Sequence, residues 1–241
     1  MIVSFSRKFV FFHNPKCAGS SFRAVIAEHH DDPFNFWGLH FAPYFRAELD
    51  FAHLRSWELV ALFPQIAEQA ASGNSLIFVR NPYLRFLSAF REYISRYHPE
   101  NAIETMAPAA LRALVEAFLP EIDISRILAD PRFVHFSPQI WFIRNGARDL
   151  VRHVVPVGPQ HGFMHHALTM LGLPAAPIGW ENSSNISMLE ALASPRIVDF
   201  IAQLYEQDFA YFRSQPRLAS LAELPAEVNG SVIGGYEPWQ R

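Results

Sequence analysis

Two stretches of the chain share one order of hydrophobic and polar positions. In each, a short apolar run leads into a polar loop, and apolar residues at helical spacing follow. The first, FVFFHNPKCAGSSFRAVIAEH, spans residues 9–29, and the second, SLIFVRNPYLRFLSAFREYISRY, spans residues 75–97. A short apolar run is typical of a buried strand, and a spacing of three and four predicts a helix. Each stretch therefore predicts a strand, a loop and a helix.

Similar patterns predict elements in the rest of the chain. A third strand is predicted over residues 150–157. Asn81 and Pro82 predict the start of the second helix, as its N-cap and first helical residue. Residues 30–55 are predicted to be irregular, because prolines and a glycine interrupt them. Further helices are predicted over 56–71, 102–129 with breaks at Pro108 and Pro120, 160–173, and 195–213.

The alternation of strands and helices predicts an α/β fold in which a parallel central sheet is flanked by helices. In such folds ligands bind at the carboxyl ends of the strands. A chain of 241 residues fits a single domain, and the less regular residues 214–241 are expected to form a C-terminal arm. The loops after the first two strands are therefore the first places to look for chemistry.

Composition narrows the class of protein. Half of the residues are hydrophobic, enough for a large core without disulfides, and the single cysteine fits a reducing compartment. The sequence has neither a signal-peptide pattern nor an apolar run of about 18 residues, so we expect a cytoplasmic protein without a transmembrane segment. The formal net charge of −3 argues against a nucleic-acid partner, which normally needs a basic surface. Any anion site must be local.

The loop of the first stretch, PKCAGSS at residues 15–21, has the composition of a phosphate-binding loop. It offers a lysine, small residues and the N–H groups of a helix N-terminus, where the helix dipole favours an anion. Its order differs from the Walker A motif, in which the lysine follows the second glycine. The second strand ends in Arg80, and neither it nor the third ends in an acid that would hold Mg²⁺. The pattern predicts a phosphorylated ligand held by lysine, arginine and hydroxyl groups.

These two motifs resemble those of the sulfotransferases that use 3'-phosphoadenosine 5'-phosphosulfate (PAPS). NPKCAGSSF resembles the family's 5'-phosphosulfate loop, P-K-x-G-[ST], and FVRNPYLRFLSAF is similar to its 3'-phosphate segment, V-R-[ND]-P-x-x-R-x-x-S. FAHLRSW, HFSPQ, NSS and YEQDFAYF resemble later landmarks of the branch that contains carbohydrate sulfotransferases. The resemblance implies a P-loop NTPase-like sulfotransferase architecture, PAPS as sulfuryl donor without a metal, and a hydroxyl acceptor that we expect to be a small molecule or glycan, in particular a carbohydrate or glycolipid.

The resemblance also assigns roles to single residues. Lys16 would contact the phosphosulfate and stabilise the leaving oxygen, while Arg80 and Ser88 would hold the 3'-phosphate. The remaining cofactor-binding positions are Cys17, Ala18, Gly19, Ser20 and Ser21. The family loop usually has threonine or serine near Cys17 and Ala18, so this loop offers fewer hydroxyl groups. Cys17 is interpreted as a small loop residue, because sulfuryl transfer needs no thiol.

An acceptor hydroxyl requires a general base in an in-line displacement. The resemblance favours His53, because the family places a histidine ahead of the strand that carries the 3'-phosphate arginine. His40, Glu48 and His135 are the rivals, and Arg85 is expected to give structural support. Six aromatic residues could stack on a sugar or belong to the core: Phe34, Phe36, Trp37, Phe41, Tyr44 and Phe45.

Two other functions are considered. An ATP-dependent small-molecule kinase on a P-loop-like fold would need Mg²⁺, and the missing Walker order and missing metal acid count against it. A non-catalytic nucleotide- or glycan-binding protein would bind the cofactor without turnover. A sulfotransferase with Lys16 and His53 as catalytic residues is the function that the sequence favours.

Overall fold

The computed structural model describes residues 1–158, 162–178 and 186–225. The strands are β1 (Ile2–Ser4), β2 (Phe9–Phe12), β3 (Leu39–Ala42), β4 (Ala47–Asp50), β5 (Asn74–Val79), β6 (Arg144–Asn145), β7 (Arg148–Asp149) and β8 (His153–Pro156). The α-helices are α1 (Gly19–Ile26), α2 (Ser56–Leu62), α3 (Pro64–Ser72), α4 (Pro82–Tyr97), α5 (Pro108–Phe118), α6 (Ile124–Ala129), α7 (Ile140–Ile143), α8 (Gly162–Met170), α9 (Pro195–Leu204) and α10 (Glu206–Ser214).

The described residues form two compact units. The sheet unit consists of residues 1–79, 139–158 and 162–178, and the helical unit consists of residues 80–138 and 186–225. Within these described ranges the chain enters each unit twice, and residues far apart in the sequence build each one.

The central sheet of the sheet unit has the strand order β1-β2-β5-β8 within the described residues. β2, β5 and β8 run parallel, in a register that places Phe11 beside Leu76 and Leu76 beside His153. β1, which the sequence did not predict, pairs antiparallel with β2. The predicted α/β fold with a mostly parallel sheet is confirmed, and the carboxyl ends of β2 and β5 lie at the same edge.

Side chains that point to one face of the central sheet form the core of the sheet unit. Phe11 and Phe78 point to one face, where they meet Phe22 of α1 at ring-centroid distances of 5.0 and 4.9 Å. Helix α8 packs into the same cluster through Phe163, 5.0 Å from Phe78. Helix α3 packs against β2 and β5. Because fully burying each such ring stabilises the fold by about 1.5–3 kcal/mol, these contacts fix the loops that leave the sheet.

The predicted helix over 56–71 is two helices, so that prediction was wrong. Proline has no N–H to donate and disfavours helical dihedrals in the residue before it, and Phe63 takes φ −137° and ψ 63°. Helix α3 therefore starts anew with Pro64 at its first turn. The predicted helix over 195–213 is likewise divided, between α9 and α10, at Tyr205.

Residues 39–50, predicted to be irregular, form a β-hairpin of β3 and β4. Phe45 N–H donates to the Ala42 carbonyl and Arg46 N–H to the Pro43 carbonyl, which closes the turn between the strands. The prolines that suggested an irregular segment lie before the hairpin and in its turn, where they do not interrupt the ladder.

The helical unit is built around α4, whose predicted N-cap is confirmed. The backbone N–H groups of Tyr83 and Leu84 donate to Asn81 Oδ1 at 3.0 and 3.3 Å. Tyr93 of α4 packs against Phe118 and Phe133, each 4.9 Å away between ring centroids. The predicted breaks in 102–129 are also confirmed, since α5 begins at its proline and the next proline lies in a 3₁₀ turn before α6.

Several expectations fall partly or wholly outside the described residues. These are the start of the helix predicted over 160–173, the NSS motif and most of the predicted C-terminal arm. The described part of the arm, residues 214–225, belongs to the helical unit, where Asn81 Nδ2 donates to the Glu223 carbonyl at 2.7 Å. The single-domain organisation stays a prediction. No described helix has the length and apolar character that crossing a membrane requires.

Candidate active site

The loop between β2 and α1 has a strained backbone. Lys16 (φ 63°) and Ala18 (φ 58°) adopt left-handed conformations that are costly for residues other than glycine. Ala18 is also the N-cap of α1, and no side chain caps this helix start. A turn of this kind directs successive N–H groups to one side and forms a concavity suited to anions. The geometry therefore fits a phosphate or sulfate group at the N-terminus of α1.

The predicted loop residues differ in their exposure. Ser20 is exposed and Lys16 is half-buried, whereas Gly19 and Ser21 are buried. Cys17 is fully buried in the hydrophobic cluster beneath the sheet. Its thiol points into the core, so any contact of Cys17 with a ligand would come from its backbone.

Asn14 ties this loop to the rest of the sheet unit, and the sequence reasoning missed it. The side chain is 1% exposed, and its Nδ2 donates to the Phe78 carbonyl on β5 (2.9 Å) and to Gln139 Oε1 (3.0 Å). Cys17 Sγ donates to the same Gln139 oxygen at 3.5 Å. Gln139 ends the HFSPQ segment, so that weak motif was the signal that could have identified this anchor.

His53 lies next to the loop in the sheet unit. It ends a 3₁₀ turn after β4, whose start is fixed by Ala52 N–H donating to Asp50 Oδ1 at 2.9 Å. The His53 ring is buried, with Nδ1 2.8 Å from the carbonyl oxygen of His13. A carbonyl oxygen only accepts, so Nδ1 carries the hydrogen and Nε2 of the neutral ring carries the lone pair. This is the arrangement that a general base requires.

The three rival bases have other environments. His40 Nε2 donates to the Trp37 carbonyl at 3.0 Å, and its ring packs against Phe51. Glu48 is exposed on β4, opposite Phe41. His135 belongs to the helical unit, where its Nδ1 lies 3.6 Å from a carboxylate oxygen of Glu92. Within the described residues, neither His40 nor Glu48 hydrogen-bonds to the loop over 13–21.

Arg80 and Ser88 belong to the helical unit and are described there. Arg80 directly follows the last residue of β5, Ser88 lies on α4, and both are half-buried. Lys16 to Ser21 and His53, by contrast, all belong to the sheet unit.

Arg85, which lies between Arg80 and Ser88 in the sequence, is fully buried. Its Nη2 donates to the carbonyls of Ser137 (2.7 Å) and His135 (3.2 Å), and its guanidinium lies 5.6 Å from the centre of the Tyr205 ring. These contacts give Arg85 the structural role that the sequence analysis expected.

The six candidate aromatic residues differ in exposure, and Phe34 and Phe45 are partly buried. Phe36 is fully buried, whereas Trp37, Phe41 and Tyr44 are 46%, 63% and 74% exposed. Trp37 also stacks on His13, with 6.0 Å between ring centroids, and the Arg23 guanidinium lies 4.5 Å from the Trp37 ring. Burial lowers the pKa of Arg23. Trp37 therefore lies next to His13, whose carbonyl oxygen accepts from His53, and the exposed aromatic surface continues from Trp37 into the hairpin with Phe41 and Tyr44.

Comparison with known protein families gives a match. The sequence model described as "Sulfotransferase family" matches residues 1–145, which include the loop, His53, Arg80 and Ser88. Neither the curated proteins nor the solved structures contain a significant match. Because the family match covers more than half of the 241 residues and agrees with a central, mostly parallel sheet flanked by helices, the chain belongs to the sulfotransferase family.

Proposed function

We propose that this protein transfers a sulfuryl group from PAPS to a hydroxyl group of a carbohydrate or glycolipid, with His53 as general base. Sulfuryl transfer follows from the family. The observation that carries the finer proposal is the hydrogen bond between His53 Nδ1 and the His13 carbonyl, because it assigns the lone pair of a buried imidazole to Nε2 and ties this ring to the start of the anion-suited loop. A cytoplasmic location stays a prediction.

The two motifs supply the proposed donor contacts. Lys16, the N–H groups of the loop and the hydroxyls of Ser20 and Ser21 would hold the 5'-phosphosulfate. Arg80 and Ser88 are proposed for the 3'-phosphate on the strength of their motif alone. We expect no metal requirement, because neither motif contains an acid that would hold one.

The chemistry is an in-line displacement at sulfur. His53 Nε2 accepts the proton of the acceptor hydroxyl while that oxygen forms the new bond to sulfur. The bond from sulfur to the 5'-phosphate oxygen breaks, and Lys16 stabilises the negative charge that develops on the leaving oxygen. The products are a sulfate ester and adenosine 3',5'-bisphosphate.

Donor binding is tested by thermal unfolding with adenosine 3',5'-bisphosphate, ADP or ATP, each with and without Mg²⁺. We expect the bisphosphate to stabilise the protein independently of Mg²⁺, by about 2.7 kcal/mol at about 100 times its Kd. Lys16→Ala and Arg80→Ala should weaken this effect, and His53→Ala should retain it but abolish transfer. Lys8→Ala is a matched control, because Lys8 has a similar left-handed backbone (φ 58°) but is exposed and lies outside the loop. Stabilisation by ATP with Mg²⁺ alone would indicate the kinase instead.

The exposed aromatic residues of the hairpin support a sugar-containing acceptor, since aromatic faces stack on the apolar faces of sugar rings. We expect Phe41→Ser to raise the KM for a glycan acceptor about tenfold and to leave bisphosphate binding unchanged. Phe5→Ser is the matched control, because Phe5 is 42% exposed but lies in the turn between β1 and β2. Equal KM values for the two variants would contradict acceptor binding at the hairpin.

A further inference from the structure

The imidazole ring of His13 is seated directly on the first turn of α1. A Cβ atom built on Gly19 would lie 2.0 Å from His13 Cδ2 and 2.5 Å from Nε2, far closer than atoms can approach. The ring thus fills the space that a side chain at position 19 would need. It is 6% exposed and touches the loop at the proposed phosphosulfate site.

The same ring is held from two further directions. Its centroid lies 4.5 Å from that of His53, with the rings tilted by 57°, and it stacks on Trp37 at 6.0 Å with an angle of 18°. A ring confined on three sides cannot rotate freely, so it also restrains the main chain of its own residue. That main chain carries the carbonyl oxygen that accepts from His53 Nδ1.

We propose that His13 is a positioning residue that sets the tautomer of His53 and couples this base to the loop carrying Lys16. The packed ring keeps the His13 carbonyl aimed at Nδ1, and the resulting hydrogen bond keeps the lone pair on Nε2. Free histidine in water prefers the opposite tautomer, in which Nε2 carries the hydrogen and accepts no proton. A donor bound at the loop would lie against the same first turn of α1 on which this ring is seated, so occupancy of the donor site and readiness of the base would be linked.

The inference rests on the proposed role of His53, but its first test does not require turnover. Protein labelled with ¹⁵N-histidine is examined by NMR, with the His53 signals assigned through His53→Gln, because the shifts of the two ring nitrogens distinguish the tautomers. We expect wild-type His53 in the Nδ1–H form and His13→Ala to give a mixture of forms. His98→Ala, which removes a partly exposed histidine of the helical unit, should change nothing. An Nε2–H form in the wild type would overturn the proposal, even if His13→Ala fails to fold.

Replacement by another ring separates positioning from direct chemistry. His13→Phe keeps a flat ring against Gly19 and should retain the Nδ1–H tautomer of His53 and most of kcat. His13→Ala should lower kcat about 10- to 100-fold, a part of what a general base contributes, and change the acceptor KM less than threefold. A kcat loss in His13→Phe as large as in His13→Ala, with the tautomer retained, would show that the imidazole itself acts chemically and would overturn the positioning role. If the tautomer responds as expected but no acceptor is sulfated, the proposed function fails and the positioning stands.

Discussion

At the scale of single residues, the loop after β2 stores strain that its neighbours must hold. Lys16 and Ala18 are left-handed, a conformation for which glycine is the usual residue. Each such residue costs about 1–3 kcal/mol and persists where the surroundings over-determine the backbone. The bonds of Asn14 and Cys17 to Gln139 provide that restraint. The loop is therefore held in place before any ligand arrives.

Replacing Ala18 with glycine should relieve this strain. We expect Ala18→Gly to raise the free energy of unfolding by about 1 kcal/mol, because glycine tolerates the left-handed region and is a better N-cap than alanine. Urea unfolding measures the change. Ala27→Gly at the other end of α1, where φ is −59°, should lower stability instead. A destabilised Ala18→Gly would show that the left-handed backbone is not a source of strain.

Arg85 allows a second test at this scale. Arg85→Met should lower the free energy of unfolding by about 3 kcal/mol, because the carbonyls of His135 and Ser137 would lose their buried donor. Arg85→Lys should recover only part of this lost stability, since a lysine ammonium lacks the planar set of N–H donors of a guanidinium. Arg96→Met on the same helix is exposed and should stay within about 0.5 kcal/mol of the wild type in urea unfolding. Unchanged stability with lost bisphosphate binding would instead make Arg85 a ligand contact.

Some of these residues could be identified from the sequence and others could not. Lys16 and Arg80 were proposed from motifs, because a phosphate site favours particular side chains at fixed spacing, and their roles stay predictions. The His13 carbonyl that holds His53 has no such signature, since every residue has a carbonyl and the two residues are far apart in the chain. The left-handed Ala18 was equally hidden, because alanine gives no sign of that conformation.

At the scale of elements, local chemistry decided which predictions succeeded. Strand β2 and the second half of β5 are buried apolar runs, as expected of strands inside a parallel sheet, whereas only Val155 of β8 is buried. Pro64 was a visible reason to divide the helix predicted over 56–71. The division at Tyr205 had no comparable signal, because neither proline nor glycine lies there. The β3–β4 hairpin was missed because Pro33, Gly38 and Pro43 suggested an irregular segment, although these residues lie before the hairpin and in its turn.

The turn between β1 and β2 is held by the carboxylate of Asp31. Burial alone raises the pKa of this group, but hydrogen bonds from Ser6, Phe5 and Ser4 outweigh it and lower the pKa to about 2. The folded pKa thus lies below the ordinary value of 3.8, so the stabilisation is present above about pH 4 and is lost as pH falls toward 2.

Asp31→Asn should therefore lower the melting temperature at pH 7 by about 2–4 °C, the shift expected for roughly 1 kcal/mol in a chain of this size. Between pH 4 and 2 the melting temperature of Asp31→Asn should fall less than that of the wild type. Differential scanning calorimetry across this pH range measures both. Glu28→Gln, which removes an exposed carboxylate nearby in the chain, serves as the control. Parallel pH curves for Asp31→Asn and the wild type would contradict the assignment.

At the scale of the whole molecule, the order of elements was predictable but their grouping was not. Alternating strands and helices predicted a mostly parallel sheet, because hydrophobic periodicity is a local property of the chain. The division into a sheet unit and a helical unit depends on contacts between distant segments, which leave no local pattern. The family match over residues 1–145 contains both motifs, whereas β8 and α8, which complete the sheet unit, come later.

This late return of the chain has a consequence for the protein while it is being made. The strand that pairs with the open edge of β5 lies about seventy residues further along, so at roughly 5–20 residues per second β8 leaves the ribosome about 4 to 15 s after β5. Throughout that interval the nascent chain exposes the unpaired edge of β5, which contains Ile77, Phe78 and Val79. An unpaired apolar strand edge of this kind can pair with other chains and start aggregation. Yield during expression should therefore depend on growth temperature and chaperone supply more than on the stability of the finished fold.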